Sequence, residues 1–238
     1  MGTASPTSVT VLSWNMCLLG KSHQAPANWR MDQSEDLIRR FVLDKKPDFV
    51  FFQELPGLVP FVETHDMVPV NTTSHSGNIA SLVKKELADS VDSYAVGRFA
   101  VCTKLNSLDL TLANVHLEPG RNGSYKRLKM IQTIASKCQT KGLLIVGDTN
   151  TRVEEEDDLA SIGMLGERPP AATWDTKINK YRDDGKKYSA YFTRYFHNAA
   201  VLVSDVKVWD QPFEENGAKF FLSDHFAMSG KASVIASD

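Results

Sequence analysis

Apolar residues in this chain gather in short runs that stop at polar ones. Residues 9–14 lead into Asn15, and the compact apolar run 49–52 ends at Gln53 and Glu54. Leu108, Leu110, Leu112 and Val115 approach His116 with near-alternation, and the unbroken run 143–146 stops at Gly147. Runs of this length and period predict β-strands, and Val201–Trp209 and 226–235 supply later ones. Helices are predicted between them. Leu37, Ile38, Phe41 and Val42 recur at helical spacing behind Ser34, read as an N-cap. Leu128, Ile131, Ala135 and Cys138 mark a second helix begun near Ser124. The layout fits a layered α/β or α+β architecture.

Length and composition narrow this. With 238 residues, 42% of them hydrophobic, the chain can bury one substantial core. No Gly/Ser/Pro-rich linker or internal repeat divides it, so one domain over 9–238 is expected behind a short tail, 1–8. The formal net charge of -2 creates no global field for nucleic acid, which leaves only a local basic patch to attract it. Cys17, Cys102 and Cys138 are odd in number and widely spaced, so they read neither as a disulfide framework nor as a zinc site. A reducing compartment follows. The polar residues 1–8 lack a secretory apolar core, and no apolar run is long enough to span a bilayer. An intracellular protein, nuclear or cytoplasmic, is expected, without a membrane partner.

The polar residues at strand ends carry the chemistry. Asn15, Glu54, His116, Asp148 with Asn150, and Asp224 with His225 each sit beside an apolar run. Loops at strand ends hold functional groups on a rigid scaffold, so these clusters predict one shared cleft. No G-x-S-x-G elbow, P-loop or dinucleotide fingerprint is present. Oxygen ligands suit Mg²⁺ or Mn²⁺, held by Glu54 with help from Asn15 or Asp224. Phosphodiester hydrolysis needs an oriented, partly deprotonated water, and charge to offset the phosphoryl oxygens. Asp148 can take the water's proton and Asn150 can orient that water. His116, His225 and the forked guanidinium of Arg152 can face the phosphate.

The strings SWN at 13–15, QEL at 53–55, NVHLEP at 114–119, GDTNTR at 147–152 and SDHF at 223–226 resemble, in order, the signature motifs of the endonuclease/exonuclease/phosphatase superfamily. GDTNTR, HLEP and TWDT at 173–176 are similar to the tyrosyl-DNA phosphodiesterase 2 branch. The resemblance implies an α+β fold of the DNase I-like kind: a four-layer α/β/β/α sandwich of two mixed β-sheets flanked by helices. It implies a monomeric Mg²⁺-dependent phosphodiesterase of DNA repair. The expected substrate is a DNA end, single-stranded or not, joined through its 5′-phosphate to a tyrosine, as left by a topoisomerase II; an RNA-linked peptide is a further substrate. Glu54, Asn15 and Asp224 would serve the metal. Asp148 and Asn150 would serve the water, and His116 and His225 the transition state. Arg152, Trp174 and Phe192 would bind substrate. Other members of the superfamily are abasic-site nucleases, exonucleases, deadenylases and sphingomyelinases, and these stay open as alternatives.

The match departs at one place. The family carries an aspartate that orients the histidine of SDH, and Thr193 stands at the corresponding position. A threonine hydroxyl has no charge to stabilise an imidazolium, which raises a third reading, a catalytically weakened nucleic-acid binder. The acidic run 154–158 reads as a solvated face or helix start, and 177–187 as a loop.

Overall fold

The computed structural model describes residues 7–17, 31–55, 67–73, 79–179, 181, 185 and 187–236. Residues 1–6 of the expected tail lie outside this range, as does part of the 177–187 loop. The chain runs β1 (Val9–Asn15), α1 (Met31–Lys45), β2 (Phe49–Gln53), β3 (Met67–Thr73), β4 (Ile79–Lys84), β5 (Val91–Val96), β6 (Ala100–Leu105) and β7 (Leu110–His116). It continues through α2 (Ser124–Lys137), β8 (Gly142–Asp148), α3 (Glu156–Ser161), β9 (Leu165–Glu167), β10 (Trp174–Asp175), β11 (Ser189–Ala190) and β12 (Thr193–His197). Last come β13 (Val201–Trp209), β14 (Phe213–Glu215), β15 (Ala218–Phe220) and β16 (Ala227–Val234).

Two six-stranded sheets form, in the orders β13-β16-β1-β2-β4-β3 and β5-β6-β7-β8-β12-β9. Both are mixed: β1 and β2 are parallel, as are β7 and β8, while β16 and β12 pair antiparallel to them. Alternation decides what each face buries. Val9, Val11, Phe49, Phe51, Leu110, Leu112, Leu144, Val146 and Tyr195 fill the space between the sheets. Leu12, Trp14, Val50 and Phe52 face outward and pack on Leu37, Ile38 and Val42 of α1. Ala113, Val115, Leu143 and Ile145 face the other way, onto Ile131 and Ile134 of α2. The result is the expected α+β sandwich of four layers, helix, sheet, sheet, helix. Each fully buried Leu, Val or Phe stabilises it by ~1.5–3 kcal/mol.

Several elements differ from the sequence reading. Helix α1 begins at Met31, which puts Ser34 inside the helix rather than at its cap. Its first turn carries Asp32 and its last Lys45, matching the helix dipole, but apolar periodicity starts only at Leu37. The 154–158 run does start a helix, yet Glu155 is buried instead of solvated, because Arg127 grips it. Strands β5 and β6 pair through polar sequence, Asp92 with Lys104 and Ser93 with Thr103, so period two was faint there. No helix among the described residues is long and apolar enough to cross a membrane.

Gly147 has a specific task. Its φ is +146°, and a Cβ there would lie 2.2 Å from the Val115 carbonyl oxygen. Only glycine lets β8 press this close to β7, which sets Asp148 in register beside His116.

Candidate active site

The inter-sheet layer turns polar towards one end of the sandwich. Asn15 closes β1, Glu54 follows β2, His116 closes β7 and Asp148 closes β8. Glu54 and Asn150 both adopt left-handed backbone, with φ of 50° and 51°. This conformation is uncommon for residues with a Cβ and clusters at functional sites.

These side chains meet. One ligand atom each from Glu54, His116 and Asp148 all lie within 4.8 Å of one another. Nε2 of His116 is 3.6 Å from Glu54 Oε1 and 3.8 Å from Asp148 Oδ2. His225 Nε2 approaches the same Asp148 oxygen at 3.9 Å. The amide Nδ2 of Asn15 donates to Glu54 Oε1 at 3.0 Å and to Asp148 Oδ2 at 2.8 Å. The backbone N–H of Asn150 donates to the other oxygen, Asp148 Oδ1, at 3.2 Å.

The second strand-end cluster is sutured on from the chain's far end. Ser223 Oγ donates to the Asn15 carbonyl at 2.6 Å and accepts from the His225 N–H at 3.1 Å. Trp14 Nε1 holds the His225 carbonyl at 3.0 Å. The short β10–β11 hairpin joins through a Trp174–His225 bridge and a Phe226 N–H bond to the Thr173 carbonyl.

Two of the expected ligands sit beside this group. Asn15 Oδ1 accepts the Cys17 N–H at 2.9 Å, so the amide turns its nitrogen towards the carboxylates and braces them. Asp224 is half-buried beside His225 and is not one of the grouped ligands, which are Glu54, His116 and Asp148. Asn150 commits Nδ2 to the Leu117 carbonyl at 3.1 Å, tying its loop to the one after His116.

An aromatic wall leaves the cluster. Phe192 lies 6.1 Å from the His225 ring, Trp174 lies 5.7 Å from Phe192, and Tyr188 lies 5.6 Å from Trp174. The Arg152 guanidinium carbon is 4.4 Å from the Phe192 ring centroid. Its Nε and Nη1 are buried without a hydrogen-bond partner among the described residues. Such a cation asks for an anion from outside. Tyr188 was missed because a lone exposed ring in a polar loop carries no sequence signal.

Thr193 is fully buried and opposite Asp148 in register. Its N–H donates to Thr173 Oγ1 at 2.9 Å. Neither Thr193 Oγ1 nor His225 Nδ1 has a hydrogen-bond partner among the described residues.

Two carboxylates this close repel. Within 4.0 Å, among the described residues, only the His116 and His225 imidazoles face them as ionisable nitrogens. Paired oxygens short of positive charge fit a hard divalent cation.

No family model matches the chain, and no curated protein sequence matches it. Solved structures do. TDP2 of D. rerio, complexed with single strand DNA product, superposes with a TM-score of 0.71 at 18% identity, covering 96% of this chain and 100% of that one. A truncated Caenorhabditis elegans TDP2 gives 0.69 at 19% identity, covering 95% and 98%. An endonuclease/exonuclease/phosphatase family protein from Bacteroides thetaiotaomicron gives 0.67 at 16% identity, covering 97% and 99%. The chain has the fold of these proteins.

Proposed function

We propose that this chain is a divalent-metal-dependent phosphodiesterase that cleaves the bond between a tyrosine and the 5′-phosphate of a DNA end. The observation that carries this reading is the convergence of Glu54, His116 and Asp148 within 4.8 Å, with His225 at 3.9 Å from Asp148. A fold likeness alone would leave substrate open. The GDTNTR and TWDT strings and the TDP2 likeness favour a tyrosyl adduct over an abasic site, poly(A) or a sphingolipid.

Glu54 would hold the cation, Mg²⁺ or Mn²⁺, with Asp148 beside it; when bound, the cation offsets charge on the phosphoryl oxygens. Mg²⁺ needs only one or two carboxylates, and oxygen suits it better than imidazole. That leaves His116 and His225 to donate to phosphoryl oxygens. Asp148, held at both oxygens by Asn15 and Asn150, takes the proton of the attacking water. Asp224 adds negative charge at the rim beside His225. The guanidinium of Arg152, with Nε and Nη1 unpartnered among the described residues, would bind the phosphate as a fork. Phe192 and Trp174 stack against the adjoining nucleotide or the tyrosyl ring. A DNA end carrying the adduct, single-stranded at its tip, is the proposed partner, and a peptide joined to RNA through tyrosine presents the same bond.

The test is turnover of a 5′-phosphotyrosyl oligonucleotide with Mg²⁺, beside abasic, poly(A) and sphingomyelin substrates. Release of a 5′-phosphate end, abolished by EDTA, is expected. No cleavage with either Mg²⁺ or Mn²⁺ overturns the reading. One observation favours a second reading, a nucleic-acid binder of weakened activity: the unpartnered His225 Nδ1 and Thr193 Oγ1. DNA binding that survives Glu54→Ala and Asp148→Ala, with no turnover in the parent, would establish it instead.

A further inference from the structure

One layer below the cluster, polar side chains continue where an apolar core would be expected. Asn114 and Gln53 are both fully buried, between the sheets. Gln53 closes β2 and immediately precedes Glu54, while Asn114 lies on β7, two positions before His116. Gln53 Nε2 donates to Asn114 Oδ1 at 2.7 Å, across the gap that apolar side chains fill elsewhere. The same nitrogen reaches Ser13 Oγ at 3.2 Å and the Phe51 carbonyl at 3.3 Å. Asn114 Nδ2 faces the Ala80 carbonyl at 3.0 Å, Ser81 Oγ at 3.2 Å and the Phe52 carbonyl at 3.3 Å. Phe52 and Ala80 are paired in register where the β2–β4 ladder ends. One side chain of one sheet is thereby fastened to two strands of the other.

Burying two amides is a poor way to gain stability, since apolar groups of the same shape pack at similar free energy without desolvation. Amides differ from apolar packing in fixing a separation, because a hydrogen bond is sensitive to tenths of an ångström and to angle. The reacting groups need that. Glu54 follows a strand of one sheet, His116 and Asp148 close strands of the other, and among the described residues no disulfide joins the sheets.

We propose that Asn114 and Gln53 form an inter-sheet amide clasp that sets the distance between Glu54 and His116, and so act as positioning residues for the phosphodiester cleavage on whose reading this rests. They touch neither substrate nor metal; they hold the strands that present those groups.

The test replaces both amides by apolar groups of matched size, Gln53→Met with Asn114→Leu. Thermal midpoint is expected to stay near the parent's, because both partners leave together. Turnover of a phosphotyrosyl oligonucleotide is expected to fall roughly 10–100-fold in kcat, with KM held within about 2-fold, as for lost outer-shell support. Mn²⁺ affinity, read by electron paramagnetic resonance without substrate, weakens in parallel. A double variant that keeps the parent's kcat and Mn²⁺ affinity overturns the clasp. Should that variant not fold, Ser13→Ala and Ser81→Ala carry the same test by trimming one hydroxyl at each edge. Each is expected to lower kcat by roughly 3-fold at unchanged KM, and unchanged kcat in both overturns the idea. A parent that binds Mn²⁺ but cleaves no phosphotyrosyl bond fails the reading of function, and the Mn²⁺ affinities still judge the clasp.

Discussion

Asn15 donates its amide to Asp148 at 2.8 Å, so a residue of the first strand of one sheet holds the carboxylate that closes the central strand of the other. The same nitrogen reaches Glu54 at 3.0 Å. Asn15→Ala removes both bonds and leaves two carboxylates to repel. Activity is expected to fall roughly 10–100-fold, with weaker Mg²⁺ dependence. Asn15→Asp should be worse, since it adds a third negative charge. Steady-state kinetics against Mg²⁺ concentration checks both, and an unchanged Asn15→Ala enzyme refutes the bracing role.

Gly147→Ala tests the close approach of β8 to β7. The added methyl meets the Val115 carbonyl at 2.2 Å in a backbone region closed to other residues. A loss of about 3 kcal/mol or more is expected, visible as a large drop in thermal midpoint. A variant as stable as the parent would contradict the described register.

The buried pair Arg127–Glu155 ties α2 to the two loops that carry site residues. Arg127 also donates to the Glu118 and Gly120 carbonyls at 2.7 and 2.8 Å, while Glu155 accepts the Arg152 N–H at 3.2 Å. Glu155→Ala leaves a buried guanidinium without its counter-charge and should cost about 3–5 kcal/mol. The double change Arg127→Met, Glu155→Leu should cost less than Glu155→Ala alone. Denaturant titration of the variants decides, and additive losses would mean the pair is not coupled.

How much of this was legible in the sequence depends on periodicity. The strands that end at Asn15, Gln53, His116 and Asp148 are central and buried, so their apolar runs announced them, and the polar residue that broke each run marked the site. The edge strands β5, half exposed, and β9, mostly exposed, lacked such runs. Glu155 was misread because a charge run looks solvated until an arginine from a distant helix reaches it. Asn114 and Gln53 were hidden inside motifs read for their neighbours. Asn15 was placed at the site, but the orientation of its amide depends on the Cys17 N–H, which no pattern records.

Thr193 offers a gain-of-function test. Thr193→Asp would supply a carboxylate on β12, next to Phe192, whose ring lies 6.1 Å from that of His225; the His225 Nδ1 is unpartnered among the described residues. A rise in kcat of roughly 10-fold or more is expected, with a changed pH profile. Equal turnover in a fully active parent would show that His225 needs no charged partner.

Cys102 is predicted to be inert. Burial pushes its thiol up to about 12, above all by removing water from the thiolate. The thiolate is the reactive form, so at pH 8 its fraction is on the order of 1 in 10⁴. Iodoacetamide should leave Cys102 unmodified in the native protein and label it after unfolding in urea. Fast native labelling would refute the burial.

Because β1 is paired on one side by β2 and on the other by β16, an emerging polypeptide carries Asn15 long before it owns the loop that delivers His225. At roughly 5–20 residues per second, that wait is on the order of 10–40 s, during which β1 lacks its β16 neighbour. The candidate site is therefore assembled from the two ends of the described chain, and is complete only once β16 has docked on β1.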